Sequence, residues 1–231
     1  MIRELIFSDV DGTFLDEAGA VPFQAAALEG IGERWRVVFA SSRTSADLVA
    51  LREQVDWPDW AIAEDGGVLV APSGEEEVIG LPVDEIIARV HGAGAWGTVE
   101  ALRPSMSQRR RASVLLPRLV AEAPEYADFR AKALSAGLRC TGGGRWATLT
   151  GGSDKGRAAS ILMARLEAVR AAAIGNDAND EPLLRSASRP FVIRNVNGHH
   201  PRLAVIAGAT LLQAPGPMGW MEMISALNSE R

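Results

Sequence analysis

The chain has 231 residues, 47% of them hydrophobic, which supports a large core and excludes a disordered chain. Its net charge of −5 gives no reason to expect nucleic acid or an anionic membrane as a partner. A single cysteine, Cys140, excludes an intrachain disulfide and fits a reducing compartment.

The start, Met1-Ile2-Arg3-Glu4, runs into a strand with no signal-peptide pattern. The longest apolar stretch, Leu203 to Leu212, is too short to span a bilayer. The expectation is a soluble cytoplasmic protein. Leu5 to Ser8 reads as a buried strand, followed by a helical pattern around Pro22 to Arg34. "RVVFASSR" repeats the strand-to-polar break at Val37 to Arg43, and Ser45 to Gln54 reads as a helix. "WAIAEDGGVLVAPSG" reads as strand, turn and strand. Farther on, Ala171 to Gly175 is a short apolar run ending in "GNDAND", and "PFVIRN" is another, followed by "HHPRLAVIAGATLL".

Short apolar strands alternating with helices predict a Rossmann-like, doubly wound α/β core, a parallel sheet with helices on both faces. Ligands in such folds bind at the carboxyl ends of the strands. Three strands end in polar clusters: Asp9/Asp11, Ser41/Ser42 and Asn176 to Asp180. If those strands are neighbours, the clusters meet at one edge. Between them the pattern changes. "VDEIIARV" and "PEYADFRAKALSAG" read as helices, and "ASVLLP", "LRCT" and "RWATL" as strands. This predicts an inserted α+β domain over 82–149, with the core formed by 1–81 and 150–231.

In "IFSDVDGTFLD", Asp9 and Asp11 stand two apart after an apolar strand. On an extended backbone such residues face one way. Two carboxylates then share a site, and both ionise comfortably only with a cation or a shared proton. That suits one anion as nucleophile or metal ligand and one group cycling a proton. The plainer reading is a turn, since Asp-Gly is a common turn dipeptide. It accounts for Asp11-Gly12 but leaves Asp9 and Thr13 unexplained. In "SDKGRAA", Ser153 or Asp154 can cap a helix beginning near Lys155. A lysine in the first turn opposes the helix dipole unless it reaches an anion. Lys132 and Lys155 are the only lysines, and a compact ammonium suits a phosphoryl oxygen. "IGNDANDEP" crowds oxygen-bearing side chains into a loop of the kind that holds hard cations such as Mg²⁺. His199 and His200 are adjacent, and adjacent side chains seldom converge on one ion.

Together these motifs, in the order DxDGT, Ser, Lys and a GxDxxD-like loop, resemble the haloacid dehalogenase superfamily of phosphotransferases. The resemblance covers nearly the whole chain. It implies that Asp9 attacks phosphorus and forms an aspartyl-phosphate. Asp11 would protonate the leaving oxygen and then activate water. Ser41 matches the phosphate-binding Ser/Thr, with Thr13, Ser42, Arg43 and Asn179 joining the phosphate-binding candidates. Lys155 matches the lysine that steadies nucleophile and phosphoryl group. Mg²⁺ would be held by Asp9, the Asp11 carbonyl and the last acidic loop, through Asn176 and Asp180. One departure stands out: the first acidic slot of that loop holds Asn176. Either its amide oxygen binds the ion without charge, or Asp177 swings in.

The insertion resembles the α+β cap of the Cof-like branch, where caps close over the site and select the leaving group. Five local features resemble the mannosyl-3-phosphoglycerate phosphatases: "ASSRT", "AEDGG" with Asp65 in an Asn slot, "RRRASVLL", "GGRWATLTGGSDKGRAA" and "GPMGWMEMI". A small anionic, sugar-linked phosphorylated substrate is implied, for which the cap should offer cations. Arg110 and Arg145 are the favoured cap candidates, and Trp146 is a candidate to stack on a sugar or to fill the cap core. Two other readings stay open. One is a broad sugar-phosphate phosphatase, the other a phospho-ligand binder without catalysis.

Overall fold

The computed structural model describes residues 4–16, 18–21, 31, 35–57, 59–94, 109–117, 124, 127–143, 146–195 and 197–229. The strands are β1 (Glu4–Ser8), β2 (Trp35–Ala40), β3 (Ala61–Ala63), β4 (Val68–Val70), β5 (Glu76–Val78), β6 (Ser113–Pro117), β7 (Leu138–Gly143), β8 (Trp146–Gly151), β9 (Ala171–Gly175), β10 (Arg189–Arg194) and β11 (Thr210–Pro215). The helices are α1 (Ser45–Val55), α2 (Val83–Gly92), α3 (Ala127–Ser135), α4 (Lys155–Arg165), α5 (Glu181–Ser186), α6 (Pro201–Ala204) and α7 (Gly216–Ser229). The helical pattern expected around Pro22 to Arg34 falls almost wholly outside the described residues.

Eight strands form one sheet in the order β11-β10-β9-β1-β2-β3-β4-β5. From β11 to β3 the pairing is parallel; β4 and β5 add an antiparallel hairpin and edge. The central position of β1 explains its unbroken apolar run, because both of its faces are covered. Its side chains alternate between two cores. Ile6 joins Phe14, Phe39, Trp220 and Met223 on one face. Leu5 and Phe7 join Ala158 and Leu162 of α4 and Leu183 and Leu184 of α5 on the other. Trp220 is fully buried, edge-on to Phe14 at 5.3 Å, and its indole N–H donates to the Ser8 hydroxyl at 3.0 Å. The strands β9, β1 and β2 are neighbours, so the three polar clusters lie side by side at their carboxyl ends. Strand β5 was not legible in the sequence. Its "EEV" lacks apolar alternation because it is an exposed edge, where charge discourages further pairing.

A separate three-stranded antiparallel sheet, β6-β8-β7, carries α2 and α3. Ile86, Val90, Val114, Leu116, Phe129 and Leu149 fill a core of its own. Val114 and Leu116 sit two apart on β6, as one buried face of a strand requires. Among the described residues no helix is long and apolar enough to cross a membrane.

Candidate active site

Asp9 follows the last residue of β1, and its main-chain N–H still donates to the Ile174 carbonyl of β9 at 3.0 Å. The chain then turns sharply, with the Val10 carbonyl accepting from Thr13, Phe14 and Leu15 and Gly12 at φ +72°. A positive φ is readily taken by glycine. The turn brings the Thr13 hydroxyl back to donate to Asp9 Oδ2 at 2.9 Å. Asp9 Oδ1 accepts from Lys155 Nζ at 2.8 Å.

Lys155 opens α4, whose N-cap is Asp154 rather than Ser153: the Asp154 side chain accepts the Arg157 N–H. The ammonium is fully buried. It also donates to Asp180 Oδ1 at 2.7 Å and lies 3.9 Å from Asp65 Oδ1. Burial alone would pull the lysine below its ordinary value, but the fields of Asp180, Asp9 and Asp65 hold it above. Burial pushes the Asp9 carboxyl up to about 7, Asp180 adds to the push, and Lys155 opposes both. One ammonium faces three buried carboxylates, so the protein alone leaves the cluster short of positive charge.

Asp11 takes a different partner. Strand β1 ends at Ser8, so strand alternation does not extend to Asp11. Its carboxylate turns to Arg43, whose Nε and Nη2 grip it at 2.9 and 2.6 Å in a two-point bond. That bond raises the Arg43 guanidinium above its ordinary value. Ser41 is buried at the end of β2, and its hydroxyl accepts the Arg43 main-chain N–H. Ser42 presents its carbonyl to Arg110. Thr44 then caps α1 in a reciprocal box with Asp47.

In the loop after β9, Asp180 is fully buried, with Oδ2 accepting the main-chain N–H groups of Asn176 and Asp177 at 2.9 and 3.1 Å. Asp177 caps the 3-10 turn at Ala178–Asp180. Asn179 donates to Asp65 Oδ1 at 3.0 Å. Asn176 Nδ2 reaches the carbonyls of Gly12 at 3.1 Å and Asp11 at 3.4 Å. Gly12 permits this approach, since a Cβ there would stand 2.6 Å from Asn176 Nδ2. His199 Nε2 contacts the Leu212 carbonyl while His200 Nδ1 accepts the Arg202 N–H, so the two rings serve separate contacts.

A divalent cation is what the sequence resemblance implies, and the donor set can be tested against it. Among the described residues no three acidic, histidine or cysteine side chains form a metal cluster. The Asn176 amide lies against the Asp11 carbonyl, two residues after Asp9, so the Asp9 carboxylate, the Asp11 carbonyl and the Asn176 amide are the oxygen-bearing candidates. Turning the Asn176 amide over exchanges its nitrogen and oxygen and points oxygen at the Asp11 carbonyl. That oxygen-only set fits a hard cation, with less charge than a second carboxylate would give.

Glu64 and Asp65, noted in the sequence only as part of the family-like turn "AEDGG", were not among the expected site residues. They form the 3-10 turn Glu64–Gly66 between β3 and β4, both at left-handed φ, +54° and +53°. Non-glycine residues rarely adopt this conformation. The turn is tied to its surroundings on every side. Glu64 N–H and Asp65 N–H donate to the carbonyls of Arg43 and Ser41, and Gly66 lies so close to Asp154 that a Cβ would stand 2.2 Å from its main chain. "AEDGG" looked like a turn because its glycines and Asp favour one. Its ties to Arg43, Ser41 and Asp154 are long-range, so residue spacing does not reveal them.

The second unit reaches the core at several points. Arg110 Nη1 donates to the Ser42 carbonyl and the Ser113 hydroxyl, both at 2.9 Å. Glu64 accepts from Arg111, Ala112 and Ser113. Arg139 of β7 pairs with Asp154, beside Lys155. Arg145 lies outside the described residues, and Trp146 is half-buried at the start of β8.

No family model matches the chain. A glucosyl-3-phosphoglycerate/mannosyl-3-phosphoglycerate phosphatase of Methanococcoides burtonii is 25% identical over 98% of this chain and 97% of its own length. A haloacid dehalogenase-like hydrolase from B. subtilis superposes with a TM-score of 0.72 at 16% identity, over 96% of this chain and 99% of that one. The sucrose-phosphatase of Synechocystis sp. gives 0.70 at 16% identity, over 99% of both chains. The solved structures fix the fold, and the sequence likeness runs through both sheets to a phosphatase.

Proposed function

Starting from a haloacid dehalogenase-like phosphoric monoester hydrolase, we propose that the chain hydrolyses a glycosyl-3-phosphoglycerate through an aspartyl-phosphate on Asp9. The observation that carries this reading is the Asp9 carboxylate, buried and held at both oxygens by Lys155 and Thr13. Such a group is oriented for attack and shielded from bulk water. Asp9 forms the bond to phosphorus as the bond to the leaving oxygen breaks. Asp11 supplies the proton to that oxygen, and to do so it leaves its bond to Arg43. In the second step Asp11 takes a proton from water, which attacks phosphorus and releases Asp9. Ser41, Ser42, Thr13 and Lys155 hold the phosphoryl oxygens, and Asn179 steadies Asp65 beside Lys155. Mg²⁺, held by Asp9, the Asp11 carbonyl and Asn176, would supply the missing positive charge of the cluster. Asp180, the other metal candidate of the sequence, has its two oxygens engaged by Lys155 and by the main-chain N–H groups of Asn176 and Asp177, and its part in this reading is to fix Lys155 and that backbone.

Residues 82–149 act as the cap. Arg110 and Arg145 are its cations for the anionic leaving group, a carboxylate-bearing glycoside. The relative from Methanococcoides burtonii, named for both glucosyl and mannosyl compounds, supports this class. A second reading, a broader sugar-phosphate phosphatase, draws on the fold shared with the sucrose-phosphatase.

A phosphatase panel of glycosyl-3-phosphoglycerates and hexose phosphates, run with Mg²⁺ and with EDTA, separates the two. Selective turnover of the glycosyl-3-phosphoglycerates, abolished by EDTA and by Asp9→Asn, is expected. Comparable rates on hexose phosphates favour the second reading. Phosphate release surviving Asp9→Asn removes the proposed nucleophile, and no turnover of any compound favours a binding protein.

A further inference from the structure

We infer that Glu64 is a positioning residue that fixes Arg110 as a cation beside the Ser41–Ser42 loop, where it receives a second anionic group of the substrate. This deepens the phosphatase reading above and rests on it. Glu64 is 1% exposed and stands at φ +54°. A left-handed backbone is strained at a non-glycine residue and persists where surrounding contacts demand it. The demand here is visible. Oε1 accepts the Arg111 N–H at 2.9 Å, while Oε2 accepts the Ala112 N–H at 3.0 Å and the Ser113 hydroxyl at 2.7 Å. The carboxylate therefore grips the segment leading into β6 at three consecutive residues.

The Ser113 oxygen passes the constraint on. It accepts from Arg110 Nη1, which also donates to the Ser42 carbonyl. Arg110 is 7% exposed. Burial pulls its guanidinium below the ordinary value, and Glu64 and Asp65 oppose that pull. Its Nε is buried and has no hydrogen-bond partner among the described residues. A desolvated guanidinium with an unmet donor gains more from an anion than a solvated one does. The other arginine of this loop, Arg43, is the partner of Asp11 in the resting site. Lys155 serves the phosphoryl side. Arg110 thus stands beside the loop, buried and with an unmet donor, as a cation for a carboxylate that the leaving group carries.

The test uses the full chain bearing Asp9→Asn, so that ligands bind without turnover. Calorimetry compares 3-phosphoglycerate with glycerol 3-phosphate, a pair that differs in its carboxylate. The parent should bind the carboxylate-bearing ligand about tenfold more tightly. Glu64→Gln and Arg110→Gln should each bring the ratio close to one, and the double variant should lower it no further. Ser113→Ala, which removes one hydroxyl, should lower the ratio about threefold and serves if Glu64→Gln does not fold. Equal affinities in the parent, no binding of either ligand, or an equal loss for both ligands in Glu64→Gln would each overturn the inference. Failure of the wild-type chain to turn over glycosyl-3-phosphoglycerates would defeat the substrate reading and leave this ratio intact.

Discussion

Asn176 turns its side-chain amide to the Gly12 and Asp11 carbonyls across the mouth of the Asp9 loop. A carboxylate at position 176 could not donate to them and would repel them unless a cation stood between. The neutral amide therefore lets the loop close without a metal, at the cost of one negative charge toward a metal. Asn176→Asp should bind Mg²⁺ more tightly, by roughly tenfold, and should gain more thermal stability from Mg²⁺ than the native chain. Titration calorimetry and melting with and without Mg²⁺ read both effects. Equal or tighter binding by the native chain would refute the assignment of Asn176 to the metal.

The Asp9 carboxyl makes the metal-free protein sensitive to pH. Its folded value, about 7, lies above the ordinary 3.8. A carboxyl raised on folding contributes stability that is fully present below the unfolded value and lost as pH rises through the folded one. In EDTA the melting temperature should fall between pH 4 and pH 8, by about 5 °C or more. Mg²⁺ at pH 8 should restore much of it. In Asp9→Asn the fall should flatten. A native chain that melts at the same temperature across this range in EDTA would contradict the electrostatic account.

The sheet core was legible because its signals are local. Leu5 to Ser8, Val37 to Ala40 and Ala171 to Gly175 are apolar runs that stop at polar clusters, and the structure sets these strands side by side. The partners within the site were less legible. Asp9 and Asp11 were expected to share a site by strand alternation, yet the strand ends before either of them, and Asp11 pairs with Arg43 from another loop. Asp65 approaches Lys155 from 90 residues away in sequence, and Glu64 reaches Ser113 across the junction of the two sheets. A carboxylate in a turn looks the same in sequence whether it faces water or a buried lysine. Only the chain path decides which.

Lys155 holds its cluster together, and its removal should show in both stability and turnover. Lys155→Met leaves Asp9, Asp180 and Asp65 buried without their cation. Breaking a buried ion pair from one side costs about 3–5 kcal/mol. Turnover should fall at least about a thousandfold, since the variant also loses charge stabilisation of the phosphoryl group. Adding Asp180→Asn removes one of the stranded charges. The double variant should recover part of the stability in urea denaturation and none of the activity. Recovery of turnover in the double variant would place Lys155 outside the chemistry.

Trp220 tests the link between the core and the site from the other side. Its indole N–H donates to the Ser8 hydroxyl, which in turn donates to the Asp9 carbonyl at 2.7 Å. This chain runs from the middle of a hydrophobic core to the backbone of the candidate nucleophile. Trp220→Phe removes the donor and some buried volume, and should destabilise the protein by about 2–3 kcal/mol. Ser8→Ala should cost about 1 kcal/mol. Because the two side chains share one hydrogen bond, the double variant should cost less than the sum, with a coupling of about 0.5–1 kcal/mol. Neither change removes a bond to the Asp9 carboxylate, so kcat should stay within about threefold of the native value. Strict additivity in denaturant melts would show that the indole and the hydroxyl act independently, and a large loss of kcat would show that the core sets the position of Asp9 through its backbone.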